Sequence, residues 1–242
     1  MFKRKYLHFK TLDSSSIYLK NRRSFLKNLT FVSCDFQTDG HGRLNRTWSS
    51  NFGENLLFSF LIKDKKIIEK VNGLSILIGV CVFKALKKLG VNNLTIKWPN
   101  DVYIGEKKVC GILLESVLSG EEQPYVIVGV GINVNQTEFL GEFFTTPTSL
   151  KLETNKSYGI KGVKKVVFKT IIKELKKFKK SKSEYLKTAN QNNFLFGKNA
   201  FAEINGKKVE VIVKNINDDN TLSVVYNDNQ LSVLSGEITF HV

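Results

Sequence analysis

The chain has little cysteine, histidine or proline, with three residues of each among 242. The cysteines lie scattered in apolar stretches, without a CxxC pair or a nearby histidine, at Cys34, Cys81 and Cys110. This pattern predicts buried free thiols rather than disulfides or metal ligands. The scarcity of histidine also leaves a zinc site almost without ligands, and no Ser-His-Asp spacing is apparent. We therefore expect neither a disulfide framework nor a resident metal site.

Long hydrophobic runs are also missing from the chain. The longest, residues 74–86 (LSILIGVCVFKAL), is interrupted by Ser75, Gly79 and Lys84 and is too short to span a bilayer. The basic N-terminal residues, MFKRKYLHFK, lead to no apolar core or cleavage site of a signal peptide. Because 42% of the residues are hydrophobic, the composition is that of a globular protein. We expect it to be cytoplasmic, with no membrane partner.

Negative charge is the scarcer sign, since 37 lysines and arginines oppose 22 acidic residues and leave a net charge of +15. Much of the excess lies in residues 161–187, where eleven lysines accompany two glutamates. Apolar residues recur there at helical spacing, at Phe168, Ile171, Ile172, Leu175 and Phe178. The lysines are therefore expected to solvate the outer face of an amphipathic helix. A nucleic-acid site would lack an aromatic platform here, whereas attraction to an acidic protein partner stays open.

Hydrophobic patterning and turn residues divide most of the chain into helices and paired strands. Helices are predicted at residues 12–28, 66–89 and 161–187. Strands are predicted at residues 29–36, 55–62 and 124–134, with two more inside residues 95–115. Because the strands come in adjacent pairs instead of alternating with helices, the pattern favours an α+β fold with a mixed sheet.

The charge and the hydrophobic pattern of the chain change after the lysine-rich segment. Residues 197–242 carry four lysines against six acidic residues, which is a net charge of −2. Short alternating runs follow one another here, and Asn205-Gly206 is a strong hairpin signal between two of them. We therefore predict a small β-barrel and divide the chain into a larger domain, residues 1–195, and a C-terminal domain, residues 196–242.

A polar loop with two glycines occupies residues 37–48 (QTDGHGRLNRTW). Gly40 and Gly42 would let backbone N–H groups approach a ligand closely, and Arg43 could neutralise a phosphate. Trp48 offers a flat face on which a nucleobase could stack. The GxGR signal alone is weak, so a plain surface turn stays an alternative, and the chain has no Walker motif.

The segment at residues 95–115 (TIKWPNDVYIGEKKVCGILLE) has lysines on both sides of a Trp-Pro-Asn-Asp corner. Lys97 and Lys108 lie eleven residues apart around this turn, so two paired strands could bring both ammonium groups near one pocket. Each lysine alone would more often be structural. Their combination with the KVCGILLE and GVGIN motifs is more specific.

Taken together and in this order, the motifs resemble those of the biotin protein ligase family. The family's KWPND is intact at residues 97–101, and its K-x-x-G-I-L-x-E occupies residues 108–115. Its G-x-G-I-N occupies residues 129–133. Its G-R-G-R-x-G-R-x-W loop appears as GHGRLNRTW, where His41 replaces an arginine and Asn45 a glycine. His41 lacks the permanent charge of an arginine, which bears on how firmly the loop holds its ligand.

The resemblance extends from about Leu12 to Val242 and implies a fold. Members combine a catalytic domain similar to class II aminoacyl-tRNA synthetases with a C-terminal SH3-like domain. On this resemblance, residues 1–195 are the biotin ligase catalytic domain and residues 196–242 the SH3-like domain. Because the catalytic pattern begins by Leu12, we expect the form without the DNA-binding domain that precedes it in some members.

The resemblance also implies a reaction. Members activate biotin with ATP and Mg²⁺ to biotinyl-5′-adenylate, and then transfer biotin to a lysine of a biotin carboxyl carrier domain. The acceptor would belong to acetyl-CoA or pyruvate carboxylase, no specific nucleic acid is expected, and a homodimer stays open. The related lipoate or octanoate ligases are the main alternative, and a basic nucleic-acid-binding module is the alternative from another class.

The resemblance assigns three overlapping groups of site residues. The catalytic group is Arg43, Lys97, Asp101 and Lys108. The biotin-binding group is Ser14, Ser15, Ser16, Gln37, Gly40, His41, Gly42, Arg43, Lys108 and Gly111. The adenylate-binding group is Arg43, Arg46, Trp48, Asn100 and Asn133.

Overall fold

The computed structural model describes residues 5–118, 123–141, 143–204, 206–235 and 238–239, which form two sheets and their covering helices. The first sheet contains β1 Tyr6–Leu12, β2 Phe31–Gln37, β3 Asn55–Ile62, β4 Leu94–Lys97, β5 Asp101–Ile104, β6 Lys107–Val117 and β7 Tyr125–Asn133. The second sheet contains β8 Asn199–Ile204, β9 Lys207–Ile216, β10 Leu222–Tyr226, β11 Asn229–Val233 and β12 Ile238–Thr239. The helices are α1 Ser15–Arg22, α2 Lys65–Ile68, α3 Leu74–Lys88, α4 Leu150–Thr154, α5 Ile160–Lys179 and α6 Tyr185–Gln191.

The first sheet has the strand order β1-β2-β3-β7-β6-β5-β4. β1 and β2 are parallel, and the other neighbouring pairs are antiparallel. The predicted α+β fold with a mixed sheet is therefore confirmed. Strand β3 is buried along all eight residues, as expected for an apolar strand that is covered on both faces.

Helices cover both faces of this sheet. On one face α3 and α5 pack against each other and against the strands, and the ring of Phe168 lies 4.6 Å from Phe31 and 4.7 Å from Phe58. On the other face α1 packs through Leu19 against Val32 and its neighbours. The buried residues of α5 form one face and most of its lysines are exposed, so the predicted amphipathic helix is confirmed. No helix in the described ranges is long and apolar enough to cross a membrane.

Three predicted helices differ in extent from the observed ones. The stretch predicted at residues 66–89 forms α2, a 3₁₀ turn at Val71–Gly73 and then α3. A Cβ added at Gly73 would lie closest to the Tyr185 hydroxyl and 2.8 Å from Asn220 Oδ1, so the chain at this break packs closely against α6 and the turn before β10. The segment at residues 161–187 is divided between α5 and α6. Of the helix predicted at residues 12–28, only α1 is observed, and Ser14 caps its start.

Strand β1 was not among the predicted elements. It is the first strand of the sheet order, and its residues alternate between exposed and half-buried positions. Such an edge strand buries little apolar surface, so charged side chains such as Lys10 obscure its pattern. Edge strands are therefore harder to predict than the buried strands β3 and β7.

The second sheet is antiparallel and has the order β11-β10-β9-β8-β12. The predicted hairpin is present, since Ile204 pairs with Lys207 and Gly206 has a φ of 73°, while Asn205 lies outside the described residues. The two edge strands, β11 and β12, do not pair with each other within the described ranges. The expected small β domain is therefore observed as an open sheet, not a closed barrel. Most of the C-terminal GEITFHV segment lies outside the described residues.

The three cysteines, Cys34, Cys81 and Cys110, are free and buried, as the sequence predicts. Burial raises the pKa of each thiol, to about 12 for Cys34. Because the thiolate is the reactive form, these side chains act as small apolar residues of the core.

Candidate active site

A cavity of about 330 Å³ opens between the N-terminus of α1, the loop at residues 40–48, the corner at residues 97–101 and strands β6 and β7. The site residues predicted from the sequence that line it are Ser14, Ser15, Ser16, Gln37, His41, Gly42, Arg43, Arg46, Trp48, Lys97, Asn100, Asp101, Lys108, Gly111 and Asn133. Of the predicted residues, all of which are described, only Gly40 does not line it. The fold therefore brings together segments that are far apart in sequence.

A cluster of buried hydroxyl groups forms one part of the cavity wall. The Ser15 hydroxyl and backbone N–H both donate to Gln37 Oε1, at 2.9 and 2.8 Å. The hydroxyls of Ser15 and Ser16 lie 2.7 and 2.9 Å from Ser59 Oγ. Ser59 lies on β3 and was not predicted, although a polar residue inside the apolar run NLLFSFLI was the signal that could have identified it.

The loop at residues 40–48 closes on itself. The Gly42 N–H donates to the Arg46 carbonyl at 2.6 Å, and the Trp48 N–H donates to the Gly40 carbonyl at 2.8 Å. A Cβ at Gly40 would lie 2.6 Å from the Trp48 carbonyl oxygen, so only glycine allows this approach. Leu44, at the turn, has a φ of 55°, a left-handed conformation that costs a leucine free energy.

Arg43 connects this loop to two other parts of the molecule. Its Nη1 donates to Asn100 Oδ1 at 3.0 Å, and its Nη2 donates to Ser235 Oγ at 3.2 Å. Asn100 is itself fixed, because its Nδ2 donates to the Ile112 carbonyl at 3.0 Å. The guanidinium group is thus oriented by the KWPND corner and by the second sheet.

The corner itself brings three charged groups together. Lys97 and Asp101 are opposite each other in the β4–β5 pair, and Lys108 Nζ lies 2.9 Å from Asp101 Oδ1. Lys97 is only 6% exposed and donates to the Tyr103 hydroxyl at 3.2 Å. Burial lowers the pKa of Lys97 to about 8, and the nearby ammonium of Lys108 adds to this, although the Asp101 carboxylate opposes it. The two lysines do share one cavity, as predicted.

Three glycines let the Trp48 ring and the Ser16 hydroxyl lie close against strands β6 and β7. A Cβ at Gly111 would lie 2.7 Å from the Trp48 ring, and Gly131 is covered by the same indole. Two residues along β7, a Cβ at Gly129 would lie 3.0 Å from Ser16 Oγ. The hydroxyl cluster and the tryptophan therefore occupy neighbouring positions along one strand, roughly 7 Å apart.

Three buried polar atoms on this surface lack hydrogen-bond partners among the described residues, Trp48 Nε1, Asp101 Oδ1 and Asn133 Oδ1, and of these Asp101 Oδ1 is paired with the Lys108 ammonium. Trp48 Nε1 and Asn133 Oδ1 have no such partner. Both side chains line the cavity, and Asn133 is held in place because its Nδ2 donates to the Thr148 carbonyl at 2.9 Å. Buried polar groups are rarely left unpaired, so these atoms are suited to bonding a polar ligand.

Aromatic side chains from a segment after β7 complete the lining and were not predicted. They are Phe139, Phe143 and Phe144. The Arg46 guanidinium lies 4.4 Å from the ring centre of Phe144. The phenylalanine-rich sequence TEFLGEFF carried the signal, but nothing in it indicates that the segment folds back over the cavity.

Metal-ligating side chains are few around the cavity. The described part of the chain contains no group of three or more His, Cys, Asp or Glu arranged to hold an ion. Among the described lining residues Asp101 is the only carboxylate. This set suits a cation that is bound mainly by a ligand's own oxygens.

Comparison with known proteins identifies the class to which this fold and cavity belong. The model of the biotin/lipoate A/B protein ligase family matches residues 9–133, which is just over half of the chain. The chain belongs to this family.

More particular similarities are to biotin protein ligases. The enzyme from Aquifex aeolicus, solved in complex with biotin and ATP, is 32% identical, covers 98% of each chain and has a TM-score of 0.85. The bifunctional ligase/repressor BirA of Escherichia coli (strain K12) is 35% identical over 123 residues, 51% of this chain and 38% of that protein. The biotin–[acetyl-CoA-carboxylase] ligase of Paracoccus denitrificans is 33% identical over 134 residues, 53% of this chain and 55% of that protein. These matches thus span only about two fifths to a little over half of the two curated relatives.

Proposed function

We propose that this protein is an ATP-dependent biotin protein ligase. It activates biotin to biotinyl-5′-adenylate and transfers the biotinyl group to a lysine of a biotin carboxyl carrier domain. The observation that carries the proposal is the single cavity in which a buried hydroxyl cluster adjoins three cationic side chains, Arg43, Lys97 and Lys108. A neutral polar ring and an anionic reaction centre require these two environments side by side.

The hydroxyl cluster suits the ureido ring of biotin. That ring has two N–H donors and one carbonyl acceptor, and Ser15, Ser16, Ser59 and Gln37 offer groups of both kinds. The four side chains already hydrogen-bond one another, so they are held in position before a ligand arrives. Such preorganisation lowers the entropy lost on binding.

The cationic cluster suits adenylate formation. The biotin carboxylate attacks the α-phosphorus of ATP, a new P–O bond forms, and the bond to pyrophosphate breaks. This step brings two anions together, so Lys108 and Arg43 would neutralise the charge that develops on the phosphoryl oxygens. Asp101 holds Lys108 at 2.9 Å and would keep its ammonium in place. Trp48, Asn133 and the phenylalanine segment would enclose the adenine and ribose.

Mg²⁺ would enter with ATP, because this ion takes most of its ligands from phosphate oxygens and water. Asp101 fits as a single protein ligand. When bound, the ion would neutralise part of the polyphosphate charge.

The second step, transfer of the biotinyl group, would take place beside Lys97 and Asp101 of the KWPND corner. The amine of the acceptor lysine attacks the biotinyl carbonyl, an amide forms, and AMP leaves. Lys97 and Asp101 would lie near this amine, and Asp101 would orient it and accept its proton. The proposed acceptor is a carrier domain of acetyl-CoA or pyruvate carboxylase, and the proposed location is the cytoplasm. We also propose that residues 1–195 form the catalytic domain and residues 196–242 the C-terminal domain. The absence of a specific nucleic-acid partner stays a prediction, and a homodimer stays open.

Pyrophosphate release from MgATP tests the proposed function, with biotin, lipoate and octanoate offered in parallel. Of the three acids, only biotin should support release. Release that depends on lipoate or octanoate and not on biotin would identify the protein as a lipoate or octanoate ligase instead.

A further inference from the structure

A second cavity, of about 460 Å³, lies between the edge strand β1 and helix α5. We call it the β1–α5 groove, and it is lined from the strands by Tyr6, His8 and Ser33 and from the helix by Lys161, Lys165 and Lys169. It shares no lining residue with the active-site cavity among the described residues. The proposed ligase chemistry makes no use of it.

The groove is strongly basic. Lys161, Lys165 and Lys169 are exposed and make no salt bridge within the described part of the chain. One acidic group, Asp35, lies near the floor, and its Oδ1 is 3.2 Å from His8 Nε2. Three lysines of the helix rim are therefore available to a negatively charged partner.

One wall of the groove is an open sheet edge. β1 is the terminal strand of the sheet and pairs only with β2 among the described residues. On its other edge, the backbone N–H and C=O groups have no strand partner within the described ranges and could pair with an added strand.

Strand and helix run along the groove in opposite directions. Tyr6 stacks on Phe168 at 5.9 Å, whereas Ser33, which is opposite His8 in the sheet, lies 3.4 Å from Lys164 Nζ. Four-residue steps along a helix are about 6 Å, and alternate residues of a strand are about 7 Å apart. Acidic residues at every second position of an added strand would therefore face Lys161, Lys165 and Lys169 in turn.

We propose that the β1–α5 groove binds an acidic segment of a partner protein in extended conformation. The segment adds to the open edge of β1, and its alternate carboxylates pair with the lysines of α5. A single-stranded nucleic acid fits less well, because such ligands need free aromatic faces for stacking. Tyr6, the exposed aromatic residue of the groove, already stacks on Phe31 at 5.5 Å and on Phe168.

The test uses the full chain and a fluorescent nine-residue peptide with glutamate and threonine at alternate positions. A peptide of the same composition with clustered glutamates is the control. We expect the alternating peptide to bind at least roughly tenfold more tightly at physiological salt, because only its charges match the lysine spacing. Equal affinity of the two peptides would overturn the proposal.

Matched charge reversals locate the binding site. The triple variant Lys161→Glu, Lys165→Glu, Lys169→Glu should lose roughly tenfold or more in affinity. The variant Lys173→Glu, Lys176→Glu, Lys180→Glu changes the same charge at exposed positions of the same helix segment outside the groove. It should lose less than about twofold. Equal losses would indicate attraction to net charge and would overturn the proposal.

N-methylation of the peptide tests strand addition. Two peptides carry methyl groups on opposite sets of alternate amides, and only one set should abolish binding, since one edge of a strand faces β1. Full binding by both peptides would contradict the proposal. Binding of polyuridine or of phosphatidylglycerol vesicles at the groove that is tighter than binding of the alternating peptide would also contradict it. The same holds if this chain forms a dimer that dissociates only in the triple variant of Lys161, Lys165 and Lys169.

Discussion

Lys108 has three close neighbours in the active-site cavity: the Asp101 carboxylate, the Trp48 ring with its centre 5.7 Å from Nζ, and the backbone at Gly111. In the proposed reaction it neutralises the developing phosphoryl charge. We predict that Lys108→Ala lowers the rate of adenylate formation roughly a hundred- to a thousandfold, as the loss of one preorganised donor typically does. Single-turnover pyrophosphate release measures this rate.

Lys107→Ala is the matched control for this substitution. Lys107 is next in the chain, but it is exposed and pairs with Glu153 at 3.2 Å instead of facing the cavity. Its loss should change the rate by less than about twofold, because exposed ion pairs contribute little. Near-normal adenylate formation by a folded Lys108→Ala protein would rule out the role assigned to Lys108.

The buried ammonium group of Lys97 makes the free energy of unfolding depend on pH. Burial lowers its pKa from 10.5 to about 8. Between these values the unfolded chain holds a proton that the folded protein has released, so this group makes stability rise with pH across that window. Below pH 8 both states are protonated and the buried charge destabilises the fold in full. We predict that Lys97→Met is more stable than the wild type by about 1–3 kcal/mol at pH 7, with the difference vanishing toward pH 10.5.

Urea unfolding of the two proteins at several values between pH 7 and pH 10 measures this difference. A constant difference across the range would show that Lys97 does not titrate as its burial requires. The same variant should have impaired transfer of biotin, since a charge kept in a destabilising position is commonly one that function needs.

Some residues of the cavity could be predicted from the sequence and others could not. The KWPND and KVCGILLE motifs sufficed to predict that Lys97 and Lys108 share one cavity, because strand pairing around a short turn is local. Ser59 and Ser235 reach the same cavity from β3 and from the second sheet. Their positions depend on tertiary packing, which no local pattern in one sequence specifies.

At the scale of elements, the loop at residues 40–48 is held closed by contacts from outside itself. Arg43 donates to Ser235 of the second sheet as well as to Asn100. We predict that Ser235→Ala speeds the release of biotinyl-adenylate about two- to tenfold, since one hydrogen bond contributes about 1 kcal/mol. Stopped-flow tryptophan fluorescence of the loaded protein would follow the release, because Trp48 lies in the cavity.

Ser232→Ala is the control for this prediction. Ser232 lies on β11 of the same sheet and accepts a hydrogen bond from Asn217, away from the loop. Identical release rates for Ser232→Ala and Ser235→Ala would mean that the second sheet does not restrain the loop.

Elements differed in how well the sequence predicted them, and burial explains the difference. β3 and β7 are continuous apolar runs, and their predicted bounds differ from the observed ones by at most a residue. β1 was missed because an edge strand has no such run. At the break between α2 and α3, Gly73 packs closely against Tyr185 and Asn220. These contacts could not be predicted from the sequence, because they join residues that are far apart in the chain.

At the scale of the whole molecule, the two sheets are joined at the active site. Trp98 of the KWPND corner donates its Nε1–H to the Asn220 carbonyl at 3.1 Å, and Arg43 reaches Ser235. Asn220 precedes β10 and Ser235 follows β11, so the connections of the second sheet support the loop at residues 40–48 and the corner together. The basic β1–α5 groove is a separate surface, formed at the opposite end of the sheet order from β4.

In the proposed reaction, the cavity joins biotin to the lysine of a carrier domain through an adenylate. Mass spectrometry of a biotin carboxyl carrier domain, incubated with this protein, biotin and MgATP, tests it most directly. We predict that the carrier gains one biotinyl group at its acceptor lysine, that a Lys→Arg carrier gains none, and that omission of ATP prevents the change. An unmodified carrier in the presence of folded protein, or modification by lipoate in place of biotin, would contradict the account.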